Sequence, residues 1–264
     1  AEDSPLFGKI DLIHIKKEDF DHAATRRLGV SLSNAEFFVF MTDDAIPEDD
    51  TIYELLQPFK DEKVAMSYAR QLARDDCREA ERFTRSFNYP DESRIKTEKD
   101  VESLGIKAFF ASDVCCAYRR SVYDSLGGLV EHAVFNEDMI YARKVLKNGY
   151  AISYSAKARV IHSHNYGPAA QLHRNFDLGL SQAEHPEVFS GIRSEGEGIR
   201  LVRSTAVHLI KTGHMAGLFG LFISSASKYA GYLLGKNYRK LPKRLVRLLS
   251  GNKTYIDKYI NAKR

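Results

Sequence analysis

Residues 36–44 read EFFVFMTDD. Five apolar residues follow one another without a polar break and stop abruptly at a threonine and two carboxylates. A run without alternation needs cover on both faces, which is the pattern of a strand buried in a parallel sheet. Working outward, GKIDLIHI (8–15) alternates and predicts a strand, and residues 20–34 predict a helix with Ala23, Leu28 and Val30 among its apolar positions. Pro47 and the acids after it open another helix through Leu56, and VAMSYARQ (64–71) predicts a further strand. Strand and helix alternate, so the expected class is α/β, a mostly parallel sheet flanked by helices.

Residues 72–105 are polar and irregular, with an aromatic insert, RFTRSFNYP. AFFASDVCCAYRR (108–120) returns to strand character, and LGG (126–128) closes a short helix. AVFNEDMIYARKVLKNGY (133–150) predicts a helix capped by Asn136, with Met139, Ala142, Val145 and Leu146 as its buried stripe and Asn148-Gly149 as its stop. YAISYSAKARVIHSHNY (150–166) predicts a strand pair, and the pattern is helical from 168 onward. The composition shifts there, which divides the chain into residues 1–185 and a helical, basic region at 186–264.

Cys77, Cys115 and Cys116 are an odd set with one adjacent pair. That is neither a disulfide framework nor zinc spacing, and it implies a reducing compartment. The net charge of +4 is a property of the tail, since residues 236–264 hold ten Lys/Arg against Asp257 alone and leave the first 235 residues at −5. A nucleic-acid-binding core is not indicated.

Two acidic pairs stand out. Asp43 and Asp44 follow the apolar strand directly, and in an open α/β sheet ligands bind beyond the carboxyl ends of the strands. Carboxylates there suit Mg²⁺ or Mn²⁺, and they equally suit a solvated turn that caps the next helix. Glu137 and Asp138 in NEDM sit at a helix start, where acids interact favourably with the macrodipole, so a structural role alone explains them as well as catalysis does.

The text between these pairs narrows the choice. FFVFMTDDAIP, GIKAFFASDVCCAYRRSVYDSLGGL, FNEDMIYARKVLKNGYAISY and VIHSHNY, in that order, resemble inverting family 2 glycosyltransferases of the GT-A fold, and among these the bacterial rhamnosyltransferases that build O-antigen and other surface polysaccharides. HAATRRLG (22–29) is similar to that group's H-x-x-T-R-N-L-G segment, with Arg27 where Asn is usual. The match runs from about residue 8 to residue 185.

The resemblance implies a nucleotide-diphosphate sugar as donor, most simply dTDP-L-rhamnose, and a lipid-linked saccharide as acceptor. A UDP-hexose or UDP-N-acetylhexosamine donor is the first alternative, and a non-catalytic, membrane-peripheral scaffold is the second. Asp138 is the implied base, with Glu137 orienting the acceptor or supporting the base. Asp44 matches the last acid of the family's D-x-D metal segment, Thr42 replaces the first, and Asp43 is left to contact the donor. Arg26 is a candidate for the donor phosphates, since a guanidinium fork suits them. His162 and His164 alternate on one side of a strand and are candidate ligands for Mg²⁺ or Mn²⁺, while Ser112 and Asp113 are candidates for acceptor binding.

The family ordinarily begins with a strand, a P-T-Y-N-like turn, a helix and a second strand ending in Asp, which hold the nucleotide. This sequence starts at Ala1 with what looks like the third strand, and the expectation is an N-terminally incomplete enzyme. MAGLFGLFISSASKYAGYLL (215–234) is too rich in Gly and Ser for a transmembrane helix, and the basic, amphipathic KNYRKLPKRLVRLL follows it. Together they predict a segment lying on an anionic membrane surface, at the cytoplasmic face of a bacterial cell membrane, within reach of a polyprenyl-linked acceptor.

Overall fold

A computed structural model describes residues 10–192 and 195–262 of the chain. In chain order it contains α1 (His22–Ser31), β1 (Phe37–Met41), β2 (Ile46–Pro47), α2 (Thr51–Leu56), β3 (Val64–Leu72) and α3 (Glu79–Asn88). Next come β4 (Arg94–Lys96), α4 (Val101–Leu104), β5 (Cys115–Arg119), α5 (Arg120–Ser125), α6 (Glu137–Lys147) and β6 (Ala151–Ile161). The remainder is helical: α7 (Pro168–Glu184), α8 (Pro186–Phe189), α9 (Glu195–Lys211), α10 (Gly217–Lys236) and α11 (Lys243–Leu249), with short turns beyond.

The α/β class holds, with one correction to the sheet. Its order is β1-β5-β3-β6-β2, with β4 also on β6, and only β3 and β6 run parallel. The sheet is mixed because β5 is inserted antiparallel between β1 and β3. This insertion matters for function. Met41, the last residue of β1, pairs with Cys115, the first of β5. The loop entering β5 therefore arrives at the same end of the sheet where β1, β3 and β6 finish.

β1 is covered on both faces, as its composition requires. Phe38 and Phe40 pack on a large cluster that includes Tyr118, Tyr123, Tyr141 and the apolar stripe of α6, whereas Phe37 and Val39 pack on Leu55, Phe59 and Val160. The period-2 alternation of a strand sends neighbouring side chains to opposite layers. Four other expectations change. Residues 10–15 form no strand, and Ile10, Leu12, Ile13 and Ile15 are exposed, because no described strand offers them a ladder; residues 8 and 9 lie outside the described residues. Residues 150–166 give one long strand rather than two, since β6 continues through Lys157 to Ile161 along β3 with a register shift instead of a turn. The irregular stretch after residue 72 contains α3, whose apolar residues Phe83 and Phe87 lie one helical turn apart. Asn136 does not cap α6 with its side chain; it adopts a left-handed conformation with φ 63° and ψ 19°, a region Asn tolerates better than most residues.

The division near residue 185 falls between α7 and α8, and one apolar cluster is built from both sides of it: Val134, Phe176 and Leu180 with Tyr238, Val246, Tyr255, Ile256 and Ile260. Glycine permits this approach. A Cβ on Gly235 would stand 2.1 Å from the Phe176 carbonyl oxygen, and one on Gly231 would stand 2.3 Å from that of Leu172. On the other helix, a Cβ on Gly179 would meet the Tyr232 carbonyl oxygen at 2.3 Å. α7 and α10 thus touch backbone to backbone. The Ser181 hydroxyl also donates to the Phe135 carbonyl, so α7 holds the residues that lead into α6.

Candidate active site

The carboxyl ends of β1, β3 and β6 and the entry to β5 bring two clusters together. The first surrounds the start of α6. Asp138 accepts the backbone N–H of Met139 at 2.7 Å and that of Asp113 at 3.2 Å, the latter delivered by the loop before β5. Its carboxyl is half-buried, whereas Asp113 and Glu137 are buried. Arg26 of α1 lies against both buried acids, its Nε 3.2 Å from Asp113 and its Nη1 on Glu137. The Tyr118 hydroxyl donates to Asp113 from within the core. Three carboxylates thus share one cation.

Burial raises all three acids above the ordinary carboxylate range, and their mutual repulsion adds to it while Arg26 opposes it. For Asp138, burial and the neighbouring Glu137 push the carboxyl up to about 7. A half-buried carboxylate tuned toward neutrality, held by two backbone donors at a helix start, has the properties of a general base.

The second cluster is Asp44, His162 and His164. Asp44 Oδ1 is 3.4 Å from His162 Nε2, Asp44 Oδ2 is 3.1 Å from His164 Nε2, and the two imidazole nitrogens are 3.1 Å apart. Adjacent ligands around an octahedral ion with bonds of about 2.1 Å stand about 3 Å apart, so the three donors match one face of such a shell. Burial, followed by the nearby Arg85, pushes the His162 imidazolium down to about 4, and burial also lowers His164. Both rings are therefore neutral at neutral pH, the form that binds a metal. Although partial burial raises it, the Thr42 hydroxyl and the two histidines hold the Asp44 carboxyl below its usual value.

Gln71, at the end of β3, fixes the tautomer. Arg85 of α3 can only donate, and its guanidinium meets Gln71 Oε1, so the amide oxygen faces that side. The same oxygen is 2.9 Å from His162 Nδ1, which must then carry the proton and leave the Nε2 lone pair toward Asp44 and His164. The amide's other end donates to the Tyr89 hydroxyl at 2.7 Å and to Ser112 Oγ at 3.0 Å.

Of the residues expected from sequence, Asp44, His162 and His164 converge, as do Glu137, Asp138, Arg26 and Asp113. Asp43 is exposed next to the Asp44–His162–His164 cluster. Ser112 bonds Gln71, and the Asp113 carboxylate faces inward to Arg26 and Tyr118 rather than to the cleft. Arg26 likewise faces the acids, which occupy its fork.

The sequence profile described as Glycosyl transferase family 2 matches residues 2–127. A mannosyltransferase, PcManGT from Pyrobaculum calidifontis, solved in complex with GDP-Man and Mn²⁺, superposes with a TM-score of 0.47 at 14% identity, over 93% of this chain and 66% of that one. The O-antigen chain rhamnosyltransferase WbaN of Salmonella anatum is 38% identical over 250 residues, 93% of this chain and 78% of that protein. RfbN of Salmonella typhimurium, another O-antigen chain rhamnosyltransferase, is 38% identical over 251 residues, 93% of this chain and 79% of that protein. The chain is a family 2 glycosyltransferase.

Three residues of this glycosyltransferase site escape sequence reasoning. Gln71 looks like one more polar position at the end of a strand, and nothing local marks it as the hub between the carboxylate–imidazole triad and the loop before β5. Arg85 belongs to a helix that the polar composition of residues 72–105 conceals. Arg174, on α7, lies over the Phe135 ring at 4.8 Å and the Tyr166 ring at 5.7 Å, and among the described residues no carboxylate pairs with it. Tyr166 in turn stacks on His164 with ring centroids 4.8 Å apart, so one aromatic ring separates this exposed cation from the triad.

Proposed function

We propose that this enzyme transfers a sugar, L-rhamnose from dTDP-L-rhamnose, with inversion onto a lipid-linked saccharide during O-antigen synthesis at the cytoplasmic face of the membrane. The names of the two relatives support the sugar and the polymer. One observation carries the chemistry: a half-buried carboxylate at the start of α6 stands at the same sheet end as a carboxylate–imidazole triad, and Gln71 and the loop of Ser112–Asp113 join them.

In this reading Asp138 takes the proton of the acceptor hydroxyl as its oxygen bonds to the anomeric carbon, and the bond from that carbon to the diphosphate breaks on the opposite face. The nucleoside diphosphate leaves with the electron pair. Backbone donors on Asp138 keep its free lone pairs aimed in one direction, and Arg26 limits the charge of the acid cluster behind it. Asp44, His162 and His164 would hold a divalent cation, which when bound neutralises charge on the departing diphosphate. Two imidazoles in the set of three favour Mn²⁺ over Mg²⁺. Arg174 and the exposed Asp43 flank that position and would meet the donor.

The test is a donor panel (dTDP-L-rhamnose, UDP-glucose, UDP-galactose and UDP-N-acetylhexosamines) with one lipid-linked acceptor and Mn²⁺. Transfer only from dTDP-L-rhamnose, lost in Asp138→Asn, is expected. Transfer from a UDP sugar alone would replace the donor, and full activity of Asp138→Asn would remove the base.

A further inference from the structure

We infer that the outward face of the α9–α10 hairpin is the surface by which the protein lies on an anionic lipid bilayer. This deepens the membrane-facing part of the proposed function and rests on that reading.

α10 shows α7 its glycines and turns its large side chains away. Phe219 and Phe222 are 73% and 71% exposed, and Tyr229 and Leu233 continue the same stripe at helical spacing. The turn between α9 and α10 is tight, with Gly213 in the left-handed region and His214 N–H on the Leu209 carbonyl at 2.8 Å. Ile210 and Met215, on either side of this turn, are exposed as well. Water-facing aromatic residues in such a row mark a contact surface rather than scattered apolar exposure.

The charge pattern selects the occupant. From Gly198 to Ile256 the sequence contains eleven Lys/Arg and no Asp or Glu. Arg200, Arg239 and Arg247 pair with Glu197, Glu184 and Asp257, and the remaining basic excess would meet like charge in a second copy. A bilayer with anionic headgroups offers the opposite charge and an apolar layer below it, which is the arrangement that interfacial helices use. Insertion across the membrane does not fit: among the described residues no helix is long and apolar enough to cross one, and the opposite face of α10 is locked to α7.

The experiment is vesicle flotation of the full chain without donor or acceptor, comparing phosphatidylcholine vesicles with vesicles that also contain phosphatidylglycerol. The protein should float with the anionic vesicles, and added salt should weaken binding. Phe219→Ser/Phe222→Ser should lower the partition coefficient roughly tenfold or more, since both rings would leave the lipid layer. Both side chains are exposed, so the melting temperature of the double variant should match the parent and serve as a folding control. Equal flotation with both vesicle types, or an unchanged partition coefficient in the double variant, overturns the proposal. So does a dimer in sedimentation that the double variant dissolves while vesicles capture nothing. Transfer to a water-soluble acceptor is measured in parallel. Transfer without vesicle binding defeats the surface assignment alone, and binding without transfer supports the surface while counting against the transferase reading.

Discussion

Replacing Arg26 by methionine separates two roles for that cation. The sequence made it a candidate for donor phosphates, while the structure sets it between Asp113 and Glu137. At 3.2 Å from Asp113, with an effective dielectric of about 20, a single pair is worth about 5 kcal/mol. Removing one partner of a buried pair typically costs about 3–5 kcal/mol once desolvation is included. The loss should depend on pH, and its sign follows from the acids. Burial already holds Asp113 and Glu137 above their unfolded values, and Arg26 lowers both. Without Arg26 they rise further. A carboxyl raised in the folded state favours folding while it is protonated, and that contribution disappears as pH climbs through the folded pKa. Arg26→Met should therefore melt close to the parent near pH 5 and roughly 10 °C below it near pH 8. Arg26→Lys, which keeps the charge but not the fork, should fall between them. Differential scanning calorimetry at the two pH values is the assay. A depression independent of pH would refute the reasoning, and an unchanged melting temperature with a raised donor KM would return Arg26 to the phosphates.

Three further outcomes are expected. With saturating donor the transfer rate should rise with pH through about 7, because Asp138 must lose its proton before it can accept one; Asp138→Asn should abolish that limb and lower the rate about 10²–10⁴-fold, and a limb that survives the substitution belongs to another group. Gln71→Leu frees His162 Nδ1 and should weaken Mn²⁺ binding about 10–100-fold by calorimetry; unchanged affinity would mean that the amide does not set the ring. Gly235→Ala forces a methyl toward the Phe176 carbonyl and should cost about 1–3 kcal/mol in thermal unfolding, whereas an unaltered melting curve would show that α7 and α10 separate freely.

The parts of the fold legible in sequence are those that local pattern controls. EFFVFM needs apolar neighbours on both sides, and it has them whichever way those neighbours run. Direction is a different matter. β5 pairs antiparallel with both β1 and β3, and nothing within CCAYR encodes that, because an apolar strand reads the same in either sense. α3 escaped for another reason: its Glu, Ala and Arg favour a helix, but its apolar face is only Phe83 and Phe87 within a polar stretch, and it is held by contacts such as Arg85 on Gln71 and the stacking of Phe83 on His208, which no window of sequence contains. Asn136 carried a true signal with the wrong meaning. Asparagine favours helix caps and the left-handed region alike, and here the second preference prevails. Among the site residues, the acids and histidines were readable as chemistry, but their partners were not. Arg26 has the same guanidinium whether it faces a phosphate or two carboxylates, and only the position of α1 decides between them.

The antiparallel insertion of β5 also explains how the candidate metal triad and the candidate base come to lie together. Gln71 is the last buried polar residue of β3, and β6 runs parallel beside it with Val160 opposite Gln71, so His162 follows just past the paired residues and its ring reaches the amide. Because β5 runs the other way, its entry loop reaches the same level from outside the sheet, and Ser112 Oγ accepts from the amide that orients His162. One residue later the Asp113 N–H donates to Asp138. A continuous path through the buried Gln71 side chain, the Ser112 hydroxyl and one peptide unit thus runs from a candidate metal ligand to the candidate base. Had β5 been parallel, its first residues would lie at the far end of the sheet and Asp138 would lose that backbone donor. The strand direction that sequence could not supply is therefore what holds the two clusters in register.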